Sequence, residues 1–458
     1  MRLLLPLFTL SLIFSCASSE PDKSKTDSAA KQVTVKPLLK KGDFTDLTVS
    51  TDPSNSFSVY LPADFDSAKK YPVVIFFDAH ANGKLPLTNY KDIAEKWGYI
   101  FVGSNSSKNG LDMQTTKNIG EGLLNEIKNI LPVDPNEILL CGFSGGARVA
   151  AFMAAGRPEV KGVICNSAAP QAPLPGKIYV GLAGLGDMNY LEMKTFSERQ
   201  QTNNSPHDLL VFDGKHEWAP EAMMEDALLI ATSYHGVKTM SPRDSTMSVA
   251  LAKNLLQAAI EIKSTSSLIE STYLEIGIKY SRDYGNPTEL VNTNDLLRKS
   301  PAYNKDVSNW MNAEKEESKL QQEIGNSLLS EDTTWWKQNS PRLFESGKDG
   351  ADKFMHQRSR GYASLMCYSY ANQAFKSGNL HAAEKLVTVY SIVDPTNSEW
   401  AYMKATLFVQ LNLNEYAFAA LNKAIELGFN DKNRLLNDPV FASLRGDEKF
   451  AAILGKLN

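Results

Sequence analysis

The stretch around Ser144 constrains the fold of this chain more than any other part of its 458 residues. An apolar run of strand length at residues 137–141 leads into Gly142-Phe143-Ser144-Gly145-Gly146, and a run rich in small residues that favours a helix follows at 147–156. A strand that turns sharply into a helix at a serine needs glycines beside it, because only residues without side chains let the two elements approach closely. The pattern predicts a serine hydroxyl exposed above a sheet, with the amide of Gly145 directed at the same point.

Apolar runs of strand length alternate with helical patterns on both sides of this motif. Such alternation predicts an α/β fold with a doubly wound, mostly parallel sheet and crossover helices. The strand that ends at Pro62 is predicted to lie at the sheet edge, where proline is tolerated. The predicted strands are residues 57–61, 73–77, 99–102, 137–141, 162–165, 177–184 and 209–212, and the predicted helices are 86–97, 115–130 and 147–156.

An acidic residue and a histidine follow two of the later predicted strands. Asp187 comes shortly after the strand at 177–184, and His216 lies in the loop after the strand at 209–212. Since the carboxyl ends of parallel strands meet at one edge of a sheet, both side chains should lie near Ser144. Serine, acid and histidine in this order suit a nucleophile whose proton is taken by a histidine that the acid orients.

Other residues compete for the positions of the acid and the histidine. Asp213, on the same loop as His216, is the alternative acid. His207 precedes its strand and His235 follows the closing helix, so His216 is preferred over both. Glu217 lacks the second histidine of a zinc-peptidase motif, so neither a metal nor another cofactor is expected.

Three short motifs together resemble one enzyme family. They are G-F-S-G-G at 142–146, G-L-G-D-M-N at 184–189 and D-G-K-H-E-W at 213–218. Their combination resembles the polyhydroxybutyrate-depolymerase and feruloyl-esterase branch of the α/β-hydrolases, over about residues 38–234.

The resemblance implies a serine hydrolase that cleaves carboxylic esters. Ser144 would be the nucleophile, His216 the general base and then the general acid, and Asp187 the acid that orients it. Two alternatives stay open. The first is a peptidase or amidase that uses the same triad, and the second is an inactive scaffold on which Ser144 is only a turn residue.

Two backbone amides are expected to stabilise the oxyanion. Members of that branch commonly carry a His-Gly pair after the third strand, where this chain has His80-Ala81. The amide of Gly145 is expected to be one donor. The amide of Ala81 or Asn82 is expected to be the other.

The connection at residues 166–176 bears on the substrate. It contains three prolines and is too short for a lid helix. The site should therefore be open, walled by the loops at 79–83 and 104–110, unless the later part of the chain folds over it. Lids help to exclude water around long acyl chains, so we expect short-chain or aromatic esters, free or carried on a polysaccharide or polymer.

Residues 1–15 resemble an export signal, with Met1-Arg2 before an apolar run and Ser15-Cys16 at its end. This end resembles the lipobox of bacterial lipoproteins. The resemblance implies acylation of Cys16 and a membrane anchor on an exported protein, in the periplasm or at the cell surface. Residues 16–37 lack aromatic residues and are predicted to form a flexible tether. The alternative is an ordinary secretory signal with a chance cysteine.

Charge and cysteine content exclude some classes of protein. A net charge of −4 with both signs interspersed argues against a nucleic-acid partner. Cys141, Cys165 and Cys367 remain after Cys16, and two of them lie in apolar runs. This odd number predicts buried thiols and no disulfide framework.

Strand signals stop at about residue 239, so the α/β-hydrolase domain is predicted at 38–238 and a helical connecting region at 239–360. Pro301 is predicted to open a long charged helix, and the charge run at 314–317 is predicted to be a solvated face. Apolar residues at helical spacing predict an amphipathic helix earlier in this region. They are Val249, Leu251, Leu255, Leu256, Ala259 and Ile260.

An internal repeat with a spacing of 34 residues lies between residues 361 and 430. The period, with small residues where two helices would cross, resembles tetratricopeptide repeats, so residues 361–458 are predicted to form an all-α repeat region. Such repeats commonly bind peptide segments, which implies a protein partner. The alternative is a helical platform that only supports the hydrolase. The matched pairs are Ala371 with Ala405, Ala383 with Ala417 and Pro395 with Phe429.

Overall fold

The computed structural model describes residues 39–236, 242–263, 265–281, 287–345 and 350–457. The predicted signal peptide, Cys16 and the tether lie outside these residues. Within them, eight strands form one sheet. The strands are β1 (Phe44–Val49), β2 (Asp52–Tyr60), β3 (Tyr71–Phe77), β4 (Ile100–Ser104), β5 (Val133–Phe143), β6 (Val160–Asn166), β7 (Ile178–Gly184) and β8 (His207–Phe212).

The strands of this sheet follow the order β1-β2-β4-β3-β5-β6-β7-β8. Strand β2 runs antiparallel to both of its neighbours, and the remaining pairs are parallel. This order, with helices as the crossovers, is the α/β-hydrolase fold that the sequence predicted. The helices of this half are α1 (Lys84–Trp97), α2 (Met113–Ile130), α3 (Gly145–Ala154), α4 (Tyr190–Thr202) and α5 (Glu221–Gly236).

The predicted edge of the sheet was wrong. Strand β2, predicted as the edge, lies between β1 and β4, with Phe57 paired to Leu47 on one side and to Ser104 on the other. The true edge strand, β1, was not predicted. Its residues are mostly half-buried or exposed, so its apolar pattern is weak.

The centre of the sheet is fully buried. All residues of β3 and β4 are buried, as expected for parallel strands covered by helices on both faces. Cys141, Cys165 and Cys367 are buried and free, as predicted. Burial raises the pKa of all three thiols, so they stay protonated and unreactive at neutral pH.

The second half of the described chain is helical. Helix α9 begins at Pro301, as predicted, with the side chain of Ser300 accepting a hydrogen bond from the Tyr303 amide. The helices are α6 (Pro242–Ile262), α7 (Ser267–Ser281), α8 (Thr288–Arg298), α9 (Pro301–Ser330), α10 (Thr333–Phe344), α11 (Ala351–Lys376), α12 (Leu380–Val393), α13 (Ser398–Gln410), α14 (Asn414–Glu426), α15 (Lys432–Asn437) and α16 (Glu448–Leu454).

The sheet and the first helices of this second half share one hydrophobic core. From Leu39 onward the chain forms a single compact unit. Its largest apolar cluster runs from the sheet into α6, α7, α9 and α11, through residues that include Leu255, Trp310 and Phe354. The hydroxyl of Tyr273 in α7 donates a hydrogen bond to the carbonyl of Val211 in β8. The helices therefore complete the core of the sheet.

The charge run at 314–317 is only in part the solvated face that was predicted, since Lys315 and Glu316 are exposed but Glu317 is not. Glu317 is fully buried and forms an ion pair with Arg358 of α11, which is also fully buried. Glu314 bonds to Lys194 of α4. A run of charges on a helix is usually solvated, but here the helix packs between two partners and each carboxylate finds a cation.

The helices after α10 pair as antiparallel neighbours, α11 with α12 and α13 with α14. Ala371, Ala383, Ala405 and Ala417 are fully buried at these crossings, which is why the positions need small side chains. The similarity to tetratricopeptide repeats and the protein partner that it implies remain predictions. No helix among the described residues is both long and apolar enough to cross a membrane.

Candidate active site

Ser144 stands on a strained turn between β5 and α3. Its φ and ψ are 53° and −121°, a conformation that residues with side chains rarely adopt. The neighbouring glycines are required by space. A Cβ on Gly142 would lie 2.2 Å from the carbonyl oxygen of Gly146, and a Cβ on Gly146 would lie 1.9 Å from that of Phe77. The predicted turn is confirmed, for the predicted reason.

Ser144, His216 and Asp187 form one hydrogen-bonded chain. The Oγ of Ser144 lies 2.9 Å from Nε2 of His216, and Nδ1 of His216 lies 3.0 Å from Oδ1 of Asp187. Asp187 follows β7 and is fully buried, whereas the His216 side chain follows β8 and is 24% exposed. The histidine thus separates a buried carboxylate from a hydroxyl that solvent and ligands can reach.

The alternative residues lie elsewhere. Asp213 is exposed and makes no hydrogen bond with His216 among the described residues. His207 begins β8, at the opposite end of the strand, and its Nδ1 lies 2.8 Å from the carbonyl oxygen of Ser205. The side chain of His235 lies outside the described residues.

Asp187 is held by its own loop. Its Oδ1 also accepts a hydrogen bond of 2.8 Å from the amide of Asn189, whereas Oδ2 has no partner in the part of the chain that the structure describes. The side chain of Asn189 donates to the carbonyl of Ser167 at 2.8 Å. This fixes the carboxylate in the orientation that His216 needs.

Asn166, at the end of β6, connects Ser144 to the loop that carries His216. Its carbonyl accepts a hydrogen bond of 2.8 Å from the amide of Ser144. Its side chain donates to the carbonyl of Glu217 at 3.1 Å and accepts from the amide of Ala219 at 2.7 Å. Asn166 is fully buried, and the only sign of this role in the sequence is a polar residue at the end of an apolar strand.

Asp78, just after β3, ties the histidine loop to the neighbouring strand. Its Oδ2 accepts a hydrogen bond of 3.1 Å from Nε1 of Trp218, and its Oδ1 accepts one of 2.8 Å from the amide of His80. The Trp218 ring stacks on Phe143 with the ring centroids 5.4 Å apart, and Phe143 lies 5.0 Å from His216. Trp218 therefore packs beneath the site.

The predicted oxyanion donors are the amide of Gly145 and the amide of Ala81 or Asn82. Gly145 is the first residue of α3, so its amide has no carbonyl partner within the helix and points out at the helix start. The amides of Ala81 and Asn82 both point at Asp78, each at 3.4 Å from an oxygen of that residue. Which of the two is the second donor stays a prediction.

The two loops that were predicted as walls meet beside the turn at Ser144. The amide of Asn109 donates to the carbonyl of Ala79 at 2.9 Å. A Cβ on Gly145 would lie 1.7 Å from Oδ1 of Asn109, so this side chain occupies the space next to the turn. Asn109 was not singled out in the sequence, because exposed loop asparagines are common.

A further wall comes from the helical half, the exception under which the site was not expected to be open. Gln357 and Gly361 of α11 pack on the loop that carries Asp187. A Cβ on Gly186 would lie 2.5 Å from Oε1 of Gln357, and a Cβ on Gly361 would lie 3.2 Å from the Cβ of Met188. A half-open cavity of about 590 Å³ lies between α11 and its neighbours on one side and His216 on the other. The connection at 166–176 has no lid, as predicted, but a distant helix provides the cover.

Arg358 anchors this wall. Its guanidinium donates to the carbonyl of Leu185 at 2.7 Å and to Oε2 of Glu317 at 2.6 and 2.8 Å. The ring of Tyr190 lies 4.9 Å from it. Burial raises the pKa of Glu317, and the attraction of Arg358 opposes this shift. Leu185 comes two residues before Asp187, so the helical half holds the loop of the acid in place.

No cluster of side chains suited to a metal ion occurs among the described residues. The chemistry available at this site is that of a hydroxyl nucleophile, an imidazole base and a buried carboxylate.

Neither a protein-family model nor a curated protein matches the chain. Solved structures with some similarity are esterases and related hydrolases. An esterase from the archaeon Pyrobaculum calidifontis is 14% identical, with 45% of this chain and 88% of that chain aligned and a TM-score of 0.35. A ferulic acid esterase is 17% identical over 42% and 97%, with a TM-score of 0.35. An S-formylglutathione hydrolase from Staphylococcus aureus is 12% identical over 43% and 99%, with a TM-score of 0.34.

Identities and TM-scores this low carry no argument about activity. The order and direction of the strands define the fold, and the distances between Ser144, His216 and Asp187 define the site.

Proposed function

We propose that this chain is a serine hydrolase that cleaves carboxylic esters. The observation that carries the proposal is the hydrogen-bonded chain of Ser144, His216 and Asp187, at 2.9 and 3.0 Å. A serine on a strained turn, with a histidine within hydrogen-bond distance and a buried carboxylate behind it, has the parts that acyl transfer requires.

The proposed reaction has two halves. Ser144 Oγ attacks the ester carbonyl while His216 Nε2 takes its proton, and the amide of Gly145 stabilises the oxyanion. His216 then donates that proton to the leaving alcohol, which leaves an acyl-enzyme. Water attacks the acyl-enzyme with His216 as base, and the acid and free Ser144 are released. Asp187 holds the imidazole in the required tautomer throughout.

Short-chain or aromatic acyl groups, free or on a polysaccharide or polymer, remain the proposed substrates. The lining and the volume of the cavity at His216 support this proposal. The cavity at His216 mixes apolar side chains, such as Phe344 and Leu365, with charged ones, so a long acyl chain bound there would lie against charged groups. Its volume of about 590 Å³ suits a small ligand.

Labelling with a fluorophosphonate probe, followed by a panel of matched esters and anilides, tests the proposal. We expect covalent labelling of wild-type protein at Ser144 and cleavage of esters far faster than of anilides. Ser144→Ala should abolish both, while Ser308→Ala, which changes an exposed serine on α9, should alter neither. Absence of labelling would favour the inactive scaffold, and faster cleavage of anilides would favour the amidase.

The membrane anchor and the repeat partner are separate proposals. We expect Cys16→Ser to leave the protein exported but to remove it from the detergent phase in phase partitioning. Unchanged partitioning would contradict the lipoprotein assignment. For the repeats at 361–458, we propose a peptide segment of another protein as the partner.

A further inference from the structure

The cavity at His216 is lined by one face of α11. The lining residues of this helix recur at intervals of three and four, which places them on a single stripe. This stripe includes Lys353, His356, Arg360, Ser364 and Tyr368. Lys215, the residue before His216, lines the cavity from the sheet side. We call these cavity-lining residues the basic face.

The basic face is fixed next to the reacting groups. Gln357 and Gly361, in the middle of the stripe, pack against Gly186 and Met188 on either side of Asp187. A molecule bound at this face can therefore extend within the same cavity to His216.

The cations of the basic face are not neutralised by neighbours. Lys215, Lys353 and Arg360 form no ion pair within the described residues. One Nη of Arg360 donates to the carbonyl of Phe344 at 3.1 Å, and its guanidinium lies 5.7 Å from that ring. These contacts orient the guanidinium and leave its charge unbalanced.

Asp394, the one carboxylate among the described lining residues, keeps its negative charge, and Lys215, Lys353 and Arg360 outnumber it. Asp394 accepts hydrogen bonds from Ser364 at 3.0 Å and from Asn397 at 3.1 Å. The chain as a whole carries a net charge of −4, so the excess of positive charge beside His216 is opposite in sign to the net charge of the protein. Unpaired cations in a cavity attract an anion from outside the protein.

We propose that the basic face binds a carboxylate carried by the ester substrate, so that the substrates are esters of acidic molecules such as carboxylated sugars or half-esters of dicarboxylic acids. This inference rests on the proposed ester hydrolysis and names its substrate class. Arg360 is the central group, because a guanidinium bonds a carboxylate through two parallel hydrogen bonds. Lys215 and Lys353 add charge.

Two pairs of esters that differ only in charge test the proposal on the full-length protein. The first pair is mono(4-nitrophenyl) adipate and 4-nitrophenyl hexanoate, with the charge on the acyl side. The second is 4-carboxybenzyl hexanoate and benzyl hexanoate, with the charge on the alcohol side. We expect the charged ester of at least one pair to be favoured about tenfold in kcat/KM, and this preference to fall as NaCl is raised.

The expected effect of Arg360→Gln is a loss of most of that preference, while Lys376→Gln, at the exposed end of the same helix, keeps it. Arg360→Lys should restore part of it. A ratio near one in both pairs for wild-type protein would overturn the proposal. So would an Arg360→Gln variant that lowers kcat/KM for charged and neutral esters equally, since this would indicate a structural role.

A binding measurement separates this proposal from the proposed reaction. Calorimetric titration of Ser144→Ala with 4-carboxybenzyl hexanoate and with mono(4-nitrophenyl) adipate should show binding that Arg360→Gln weakens about tenfold. If wild-type protein cleaves no ester but this binding occurs, the proposed reaction fails and the carboxylate site stands. If neither charged ester binds more tightly than its neutral partner, the carboxylate site fails, whatever the activity.

Discussion

The sheet half and the helical half of this molecule place their buried polar groups by different means. Ser144, Asp187 and His216 stand at the carboxyl ends of parallel strands, so chain direction alone brings them to one edge. Arg358 and Glu317 lie within two long helices and meet only because those helices pack together. The first kind of placement follows from local pattern and strand order, and the second requires the tertiary structure.

The largest expected effect concerns the sheet half. Asp187→Asn should lower kcat/KM for 4-nitrophenyl acetate by roughly 10³–10⁴-fold, because His216 would lose the carboxylate that fixes its tautomer. Circular dichroism should show an unchanged fold. Asp213→Asn, on the loop of His216 but exposed, is the matched control and should change little. The acid assignment is wrong if the Asp213 variant is the damaged one.

The next effect concerns the contact between the halves. Arg358→Met should reduce the free energy of unfolding by about 3–5 kcal/mol, because it leaves Glu317 buried without its cation. Urea denaturation measures this loss. Arg298→Met removes an exposed ion pair with Glu275 and should cost little.

A second change sharpens this result. Glu317→Leu added to Arg358→Met should recover part of the lost stability, since no buried charge then remains. If the double variant is less stable than the single one, the loss comes from packing and from the freed carbonyl of Leu185, and the ion pair is not its main cause.

A third effect depends on pH. Asp226 of α5 is buried, and this burial raises the pKa of its carboxyl from 3.8 to about 7, while a hydrogen bond from Asn254 opposes the shift. Nearby Glu225 raises the pKa further and Lys96 lowers it. The folded state therefore keeps a proton that the unfolded state has lost above its lower pKa. The stability that this group contributes is complete below about pH 4 and is lost as pH rises through 7.

Asp226→Asn should remove this pH dependence. We expect the variant to gain roughly 2–4 kcal/mol over wild type between pH 4 and pH 8. Urea denaturation at both pH values measures the change, with the exposed Asp295→Asn as control. An equal difference from wild type at both pH values would contradict the assignment of the effect to this carboxyl.

The smallest effect concerns the repeats. Ala405→Leu places a larger side chain where α13 crosses α14 and Ala405 is fully buried, so it should cost about 1–3 kcal/mol. The exposed Ala419→Leu in α14 should cost much less. Activity per folded molecule should be unchanged in both, since these helices pack in a cluster separate from the core of the sheet. A loss of activity with Ala405→Leu would show that the repeat helices α13 and α14 are coupled to the sheet more tightly than their separate apolar clusters suggest.

The sheet and the triad could be predicted from the sequence because their signals are local. Uniform apolar runs mark β3 and β5, and the order of serine, acid and histidine follows the strand order. Strand β1 could not be predicted, because its residues are only partly buried. Asn166 and Asp78 were missed for another reason, since their partners, Ala219 and Trp218, become neighbours only in the folded sheet.

The helical half shows where this kind of prediction stops. The start of helix α9 was predicted from Pro301, but the inward orientation of Glu317 on this helix was not. The helix that would wall the site could not be predicted, because α11 comes more than a hundred residues after the connection at 166–176, where a lid was sought. Periodicity shows that a helix has an apolar face, but it does not show which distant element that face meets.

The hydrogen bond between Arg358 and the carbonyl of Leu185 has a consequence for biosynthesis. The two residues are 173 positions apart. At translation rates of about 5–20 residues per second, Leu185 is synthesised roughly 10–30 seconds before Arg358. During that interval the triad loop lacks its support, and the apolar surface that Trp310 and Phe354 later cover stays exposed to solvent and to other nascent chains. The segment that carries Ser144 and Asp187 is therefore made early and gains this support only after Arg358 has been synthesised, so the nascent sheet half exposes apolar surface that chaperones can bind.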